Sequence, residues 1–137
     1  MTIKHYSLKT DGEKALSTNF KVKEFACKDG CDEIIADEKL ITVLQQMRTH
    51  FGKPIIITSG YRTAAHNAAV GGSPKSQHLY GKAADIQITG IAPEKAAQYA
   101  ETLLGGAGGI GLYPKNSTRT KGWVHIDTRA SKARWKG

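Results

Sequence analysis

Two histidines and an aspartate are the residues best equipped for chemistry. His78 and Asp85 fall in Ser76-Gln-His-Leu-Tyr-Gly-Lys-Ala-Ala-Asp-Ile86, which reads H-x-x-G-x-A-x-D. Far downstream, Trp123-Val-His-Ile-Asp127 supplies a second histidine, His125. Two imidazoles and one carboxylate form a standard catalytic zinc set: they partly neutralise a divalent cation and leave the fourth tetrahedral position open. Gly81 and Ala83 are small enough to let the chain fold back closely, so that His78 and Asp85 can point at one centre. His125 and Asp127, two apart on a strand, share one face. Taken singly each residue has a plainer explanation, a surface or core histidine or a turn aspartate, and spacing alone leaves both readings standing.

The elements that must position these residues are legible around them. Leu40, Val43, Leu44, Met47 and Phe51 recur at helical spacing, which predicts an amphipathic helix over 37–51 with Asp37 as its N-cap and Gly52-Lys-Pro54 as its stop. Pro54–Thr58 is a β-branched run read as a buried strand. A turn at Ser59–Arg62, a short helix over Thr63–Val70 stopped by Gly71-Gly72, and a polar loop over 73–81 follow. Ala84–Thr89 alternates as a strand does. Pro93 opens a helix running to about Leu104 that buries Ala96, Ala97, Ala100 and Leu103 or Leu104. Strands are expected at Gly109–Tyr113 and Trp123–Asp127. Residues 1–35 read as an irregular arm with short extended pieces, Phe20–Phe25 among them. The sum is an α+β fold, and no glycine-rich phosphate loop follows a strand and opens a helix.

Bulk properties narrow the partners. The 137 residues fit one domain, with 39% hydrophobic and 23% charged residues, ordinary for a globular protein. An excess of 20 Lys+Arg over 12 Asp+Glu gives +8, which favours polyanions: nucleic acid, anionic lipid or the bacterial wall. The basic residues are scattered, without the aromatic-flanked pattern of a single-strand binder, so nucleic acid is not expected. No stretch has the length of a transmembrane helix. Met1–Thr10 lacks an apolar run, so no signal peptide is expected, and export by lysis, a pore or a removed leader stays open. Cys27 and Cys31 read as free thiols near a turn or as a local disulfide; two soft ligands do not make a second metal site.

Several separated motifs, in order, carry a resemblance. His78-Leu-Tyr-Gly-Lys-Ala-Ala-Asp85 with Trp123-Val-His-Ile-Asp127 resembles the zinc D-Ala-D-Ala carboxypeptidase family, which shares its fold with hedgehog signalling domains. Ser59-Gly-Tyr-Arg62, the Ser76-Gln-His78 lead-in and the Gly109-Ile-Gly-Leu-Tyr113 strand fit the same family. The likeness runs from about Phe20 to Trp135 and looks closest to compact phage and prophage wall peptidases. It divides the chain into an arm over 1–19 and a zinc peptidase domain over 20–137, built on a small, mainly antiparallel sheet packed with helices.

The resemblance implies one Zn2+ ion on His78, Asp85 and His125. It also implies hydrolysis of a peptidoglycan stem or cross-bridge peptide at the cell wall by a monomeric protein. D-Ala-D-Ala carboxypeptidase activity ranks first, endopeptidase second, and a zinc-containing domain that binds wall peptides or a protein without turnover third. The metal acidifies water and polarises the scissile carbonyl. Arg62 resembles the family's substrate-anchoring arginine, and Ser76 and Tyr113 are candidates for substrate contact. Better-known relatives place an acidic base three residues before the second histidine ligand, where this chain has Gly122. Asp127 is therefore expected either as the base or as a carboxylate that fixes the tautomer of a ligand imidazole. Arg129, Arg134 and Trp135 belong to a tail expected to dock rather than to catalyse.

Overall fold

A computed structural model describes residues 2–137. In chain order its elements are β1 (Ile3–Ser7), α1 (Leu8–Asp11), β2 (Ala15–Ser17), β3 (Phe20–Lys21), a 3-10 turn (Val22–Phe25), β4 (Glu33–Asp37), α2 (Glu38–Phe51), β5 (Ile55–Ser59), α3 (Ala64–Ala69), a second 3-10 turn (Gln77–Tyr80), β6 (Ala83–Ile88), α4 (Pro93–Leu104), β7 (Gly109–Tyr113), β8 (Trp123–Asp127) and β9 (Ala133–Lys136). Five strands form the main sheet in the order β5-β6-β8-β7-β9, and β1-β4 and β2-β3 form two small pairs. Every pairing is antiparallel except β7 with β9.

Strand alternation gives the main sheet one apolar and one chemical face. Ile86 and Ile88 of β6, Val124 and Ile126 of β8 and Ile110 of β7 are buried in the hydrophobic core together with Ala96 and Ala100 of α4. Residues between them turn the other way, and they include Asp85, His125, Asp127 and Tyr113. The alanines of α4 let that helix lie close on the sheet. Helix α2 packs against α4 and β4, burying Leu40, Ile41, Val43, Leu44 and Met47. Truncating a buried leucine such as Leu44 to alanine would cost about 2–5 kcal/mol. Asp37 caps α2 by accepting the Lys39 N–H, and Gly52 ends it in the left-handed conformation.

The stretch expected to be irregular is built differently. β1 pairs with β4 over five residue pairs, from Ile3 opposite Asp37 to Ser7 opposite Glu33. Val22–Phe25 is a 3-10 turn, not an extended piece, and it buries Val22 and Phe25. The polar loop after α3 contains the turn Gln77–Tyr80, and the tail expected only to dock forms β9.

Candidate metal centre

His78 is placed by the turn Gln77–Tyr80. Ser76 caps that turn, its hydroxyl accepting the His78 N–H at 3.2 Å. Gly81 ends it at φ 70°, where a Cβ would stand 2.3 Å from the Ile35 carbonyl oxygen of β4. The glycine in the motif is therefore required by its backbone angle and by close packing. The imidazole is buried, and its Nδ1 lies 2.7 Å from the Gly60 carbonyl oxygen. A carbonyl only accepts, so Nδ1 carries the proton and Nε2 keeps a lone pair. Gly60 packs this close to Phe25 because it has no side chain; a Cβ there would stand 2.8 Å from the Phe25 backbone.

β6 and β8 bring in the other two donors side by side, with Asp85 directly opposite His125 in the register. Oδ1 of Asp85 lies 3.3 Å from Nε2 of His78 and 3.0 Å from Nδ1 of His125. One ligand atom from each of the three residues falls within a span of 4.8 Å. Donors bound at zinc distances on a tetrahedron are separated by about 3.3 Å, so the cluster has the right size for one ion.

The far side of His125 is held by Asp127. Its Oδ2 lies 2.7 Å from Nε2 of His125. Arg129 forks onto the same carboxylate, Nε donating to Oδ1 at 2.9 Å and Nη2 to Oδ2 at 2.7 Å, and its backbone N–H adds a further bond. Burial alone would raise the Asp127 carboxyl, but hydrogen bonds from His125 and Arg129 outweigh it and hold it well below the carboxylate range. An ionised Asp127 only accepts, so His125 is protonated at Nε2 and turns Nδ1 to the cluster. Burial likewise opposes ionisation of Asp85, and the hydrogen bonds of His125 and His78 win, leaving it ionised. For His125, burial works against the charged ring, while Asp127 and Asp85 raise its pKa above the ordinary value. Arg129 balances the charge of Asp127, so a cation at the cluster would meet one ionised carboxylate, Asp85, and the inward nitrogens of two imidazoles. The donor set, with an N–H on the outer side of each ring already engaged, fits zinc.

Space for this arrangement comes from two glycines of β7. A Cβ on Gly109 would lie 2.2 Å from the Asp127 carboxylate, and one on Gly111 would lie 2.5 Å from the Trp135 indole. The Gly109-Ile-Gly111 spacing clears room on the chemical face twice, while Ile110 points into the core.

Arg62 borders the cluster. Its Nη2 lies 3.5 Å from Oδ2 of Asp85, Nε donates to Ser59 and Nη1 donates to Asn67. Asn67 is buried, donates to the Ser73 carbonyl and sits against Gly72, so it ties Arg62 to the loop after α3. Sequence spacing passed over Asn67; its position on α3 shortly after the Arg62 motif was the available signal.

A cleft of about 420 Å³ opens over the cluster, lined by Arg62, Ser76, His78, Asp85, Tyr113 and His125 among others. Trp123 is half-buried and stacks on Tyr113 at 4.7 Å at the cleft wall, with the Arg119 guanidinium 4.8 Å from its ring. Asp85 is the one acidic residue lining this cleft among the described residues. At Gly122 a Cβ would lie 2.3 Å from the Tyr113 carbonyl oxygen, so no side chain fits where the better-known relatives have an acid. A larger groove of about 690 Å³ beside α2 shares no lining residue with this cleft, whereas one of about 620 Å³ beside α4 shares Trp135.

The peptidase M15 family model matches residues 16–127, a span that contains all three donors. This chain belongs to the peptidase M15 family. Among M15-like relatives, a probable peptidoglycan L,D-endopeptidase MepK of Haemophilus influenzae is 33% identical over 109 residues, covering 74% of this chain and 54% of that protein. The peptidoglycan L,D-endopeptidase MepK of Escherichia coli K12 is 37% identical over 81 residues, 56% of this chain and 41% of its own. A zinc D-Ala-D-Ala carboxypeptidase of Streptomyces albus G is 48% identical over 44 residues, 31% of this chain and 17% of its own. The M15 chain spans about half the length of the first two relatives. No helix among its described residues is long and apolar enough to cross a membrane.

Proposed function

We propose that this chain hydrolyses a peptide bond of bacterial peptidoglycan at the cell wall, with one zinc ion held by Nε2 of His78, an oxygen of Asp85 and Nδ1 of His125. The observation that carries the reading is the convergence of those donors at the wall of a cleft. Bound there, the ion supplies Lewis acidity for the scissile carbonyl and acidifies water.

The chain's own residues prepare the site. Gly60 and Asp127 each accept the outer N–H of a ligand imidazole and so fix its tautomer. Arg129 keeps Asp127 ionised. Arg62 stands beside Oδ2 of Asp85, leaving Oδ1 for the metal, and presents positive charge to the substrate carbonyl. Of the two roles expected for Asp127, support of His125 is the one its surroundings favour. Its side chain has no exposure to solvent, and both oxygens are engaged. Ser76, as the cap of the His78 turn, is read as a positioning residue, and Tyr113 as a wall of the substrate cleft.

Two bonds fit the site. The carboxypeptidase reading uses Arg62 as the cation for a terminal carboxylate. Three donors of that guanidinium already face Ser59, Asn67 and Asp85, which favours an internal bond instead. The longer matches to the two proteins named L,D-endopeptidase support the same choice. A second reading, peptide binding without turnover, is favoured by the lack of a second acid among the described cleft residues. Mass analysis of purified peptidoglycan after incubation, with and without chelator, tests all three. New chelator-sensitive fragments support hydrolysis, their masses identify the bond, and unchanged peptidoglycan from metal-replete protein leaves only the binding reading.

A further inference from the structure

Trp135 stands outside the family match, which ends at Asp127, and the site described above leaves it without a role. Its placement is closely specified. In the sheet register, Asp85, His125, Gly111 and Trp135 lie in one row across β6, β8, β7 and β9. Gly111 has no side chain, so the indole lies over the gap and reaches the neighbour beyond, its ring 5.0 Å from the His125 ring. Nε1 donates to the Tyr113 hydroxyl at 2.8 Å, and the Arg129 guanidinium sits 5.4 Å from the ring. The next residue back, Arg134, faces the other way. It binds both carboxylate oxygens of Glu101 on α4 and the carbonyl oxygens of Gly105, Ala107 and Gly108, which pins β9 in place.

A tryptophan that served only to close the core would be buried. Trp135 is half-exposed and lines the same cleft as His78, Asp85 and His125. With its polar edge satisfied by Tyr113, it offers the cleft a fixed apolar surface. Such a surface suits a flat peptide unit or a small aliphatic side chain, and it has little rotamer freedom left to lose on binding.

We propose that Trp135 is a substrate-positioning residue: its indole forms the apolar wall against which the substrate residue beside the scissile bond is held, next to His125. The inference rests on the peptidase reading, and its test separates the two. Steady-state cleavage of a soluble peptidoglycan stem peptide is compared in the zinc-loaded wild type, Trp135→Ala and Trp135→Phe, with zinc content measured for each. Loss of one aromatic contact predicts a rise in KM of about 3- to 10-fold in Trp135→Ala with zinc retained, and recovery of most of it in Trp135→Phe. In parallel, Trp123→Phe leaves Trp135 as the one tryptophan of the chain, and its emission is followed as the same peptide is added.

A saturable emission change with raised KM supports the wall. An emission change without cleavage by any form supports the wall and removes the hydrolase reading. Cleavage with unchanged KM in Trp135→Ala and unchanged emission overturns the wall while hydrolysis stands. Loss of zinc from both Trp135 variants also overturns it, because the indole would then act only by propping His125.

Discussion

The Asp127 carboxylate lies 2.7 Å from Nε2 of His125, on the opposite side of the ring from Asp85, whose Oδ1 is 3.0 Å from Nδ1. One imidazole thus joins the metal cluster to a buried carboxylate, and the carboxylate in turn is gripped by Arg129. This relationship is the ground for reading Asp127 as the support of His125.

Removing the supporting carboxylate should weaken metal binding before it touches chemistry. Asp127→Ala is expected to lower zinc affinity about 10–100-fold, as measured by competition with a chelator. Unaltered affinity with lost cleavage would instead make Asp127 the proton acceptor.

The space left by Gly109 should matter as much as the carboxylate it accommodates. Gly109→Ala puts a methyl 2.2 Å from Asp127, and overpacking of this kind costs about 1–3 kcal/mol. Thermal unfolding should show that loss together with weaker zinc binding. A variant as stable and as tightly metallated as wild type would show that Asp127 can be moved freely.

Restoring the acid of the better-known relatives should fail here. Gly122→Glu must force its Cβ against the Tyr113 carbonyl and Lys115, so a loss of about 1–3 kcal/mol or more is expected, with no gain in turnover. A stable, faster enzyme would mean that the loop before β8 yields and that the missing base was the only defect.

Asn67→Ala removes the partner of Arg62 Nη1 and one anchor of the loop at Ser73. Leaving buried hydrogen-bonding groups unpaired costs about 1–3 kcal/mol. Zinc content should be unchanged, because Asn67 touches none of the three donors, while KM for a stem peptide rises. An unchanged KM would place Arg62 outside substrate binding.

Sequence periodicity was enough for the elements that form the chemical face and its backing. Helices α2 and α4 and strands β5, β6, β7 and β8 lie within a residue or so of where their patterns put them. Each carries its own apolar repeat, a local signal. The β1-β4 pair and β9 were missed for the opposite reason. Ile-Lys-His-Tyr-Ser and Ala-Arg-Trp-Lys are short and mixed, and their stability comes from partners far along the chain. Val22–Phe25 alternates like a strand, yet both of its buried side chains are accommodated by a 3-10 turn.

The convergence of His78, Asp85 and His125 was legible through the family resemblance, where spacing alone left it open, and the register sets Asp85 opposite His125. The partner of Asp127 was not legible, since spacing gives the face of a strand but not which ring nitrogen a carboxylate meets. Asn67 was passed over because a buried asparagine on a short alanine-rich helix resembles any polar surface residue until its partners are known.

Zinc content is the most direct measure of the central claim. Metal-replete wild-type protein should carry one zinc ion per chain by mass spectrometry under native conditions, and His78→Ala and His125→Ala should each lose it while remaining folded. Metal-replete protein without zinc, or folded His78→Ala and His125→Ala variants that bind it as tightly as wild type, would contradict the account.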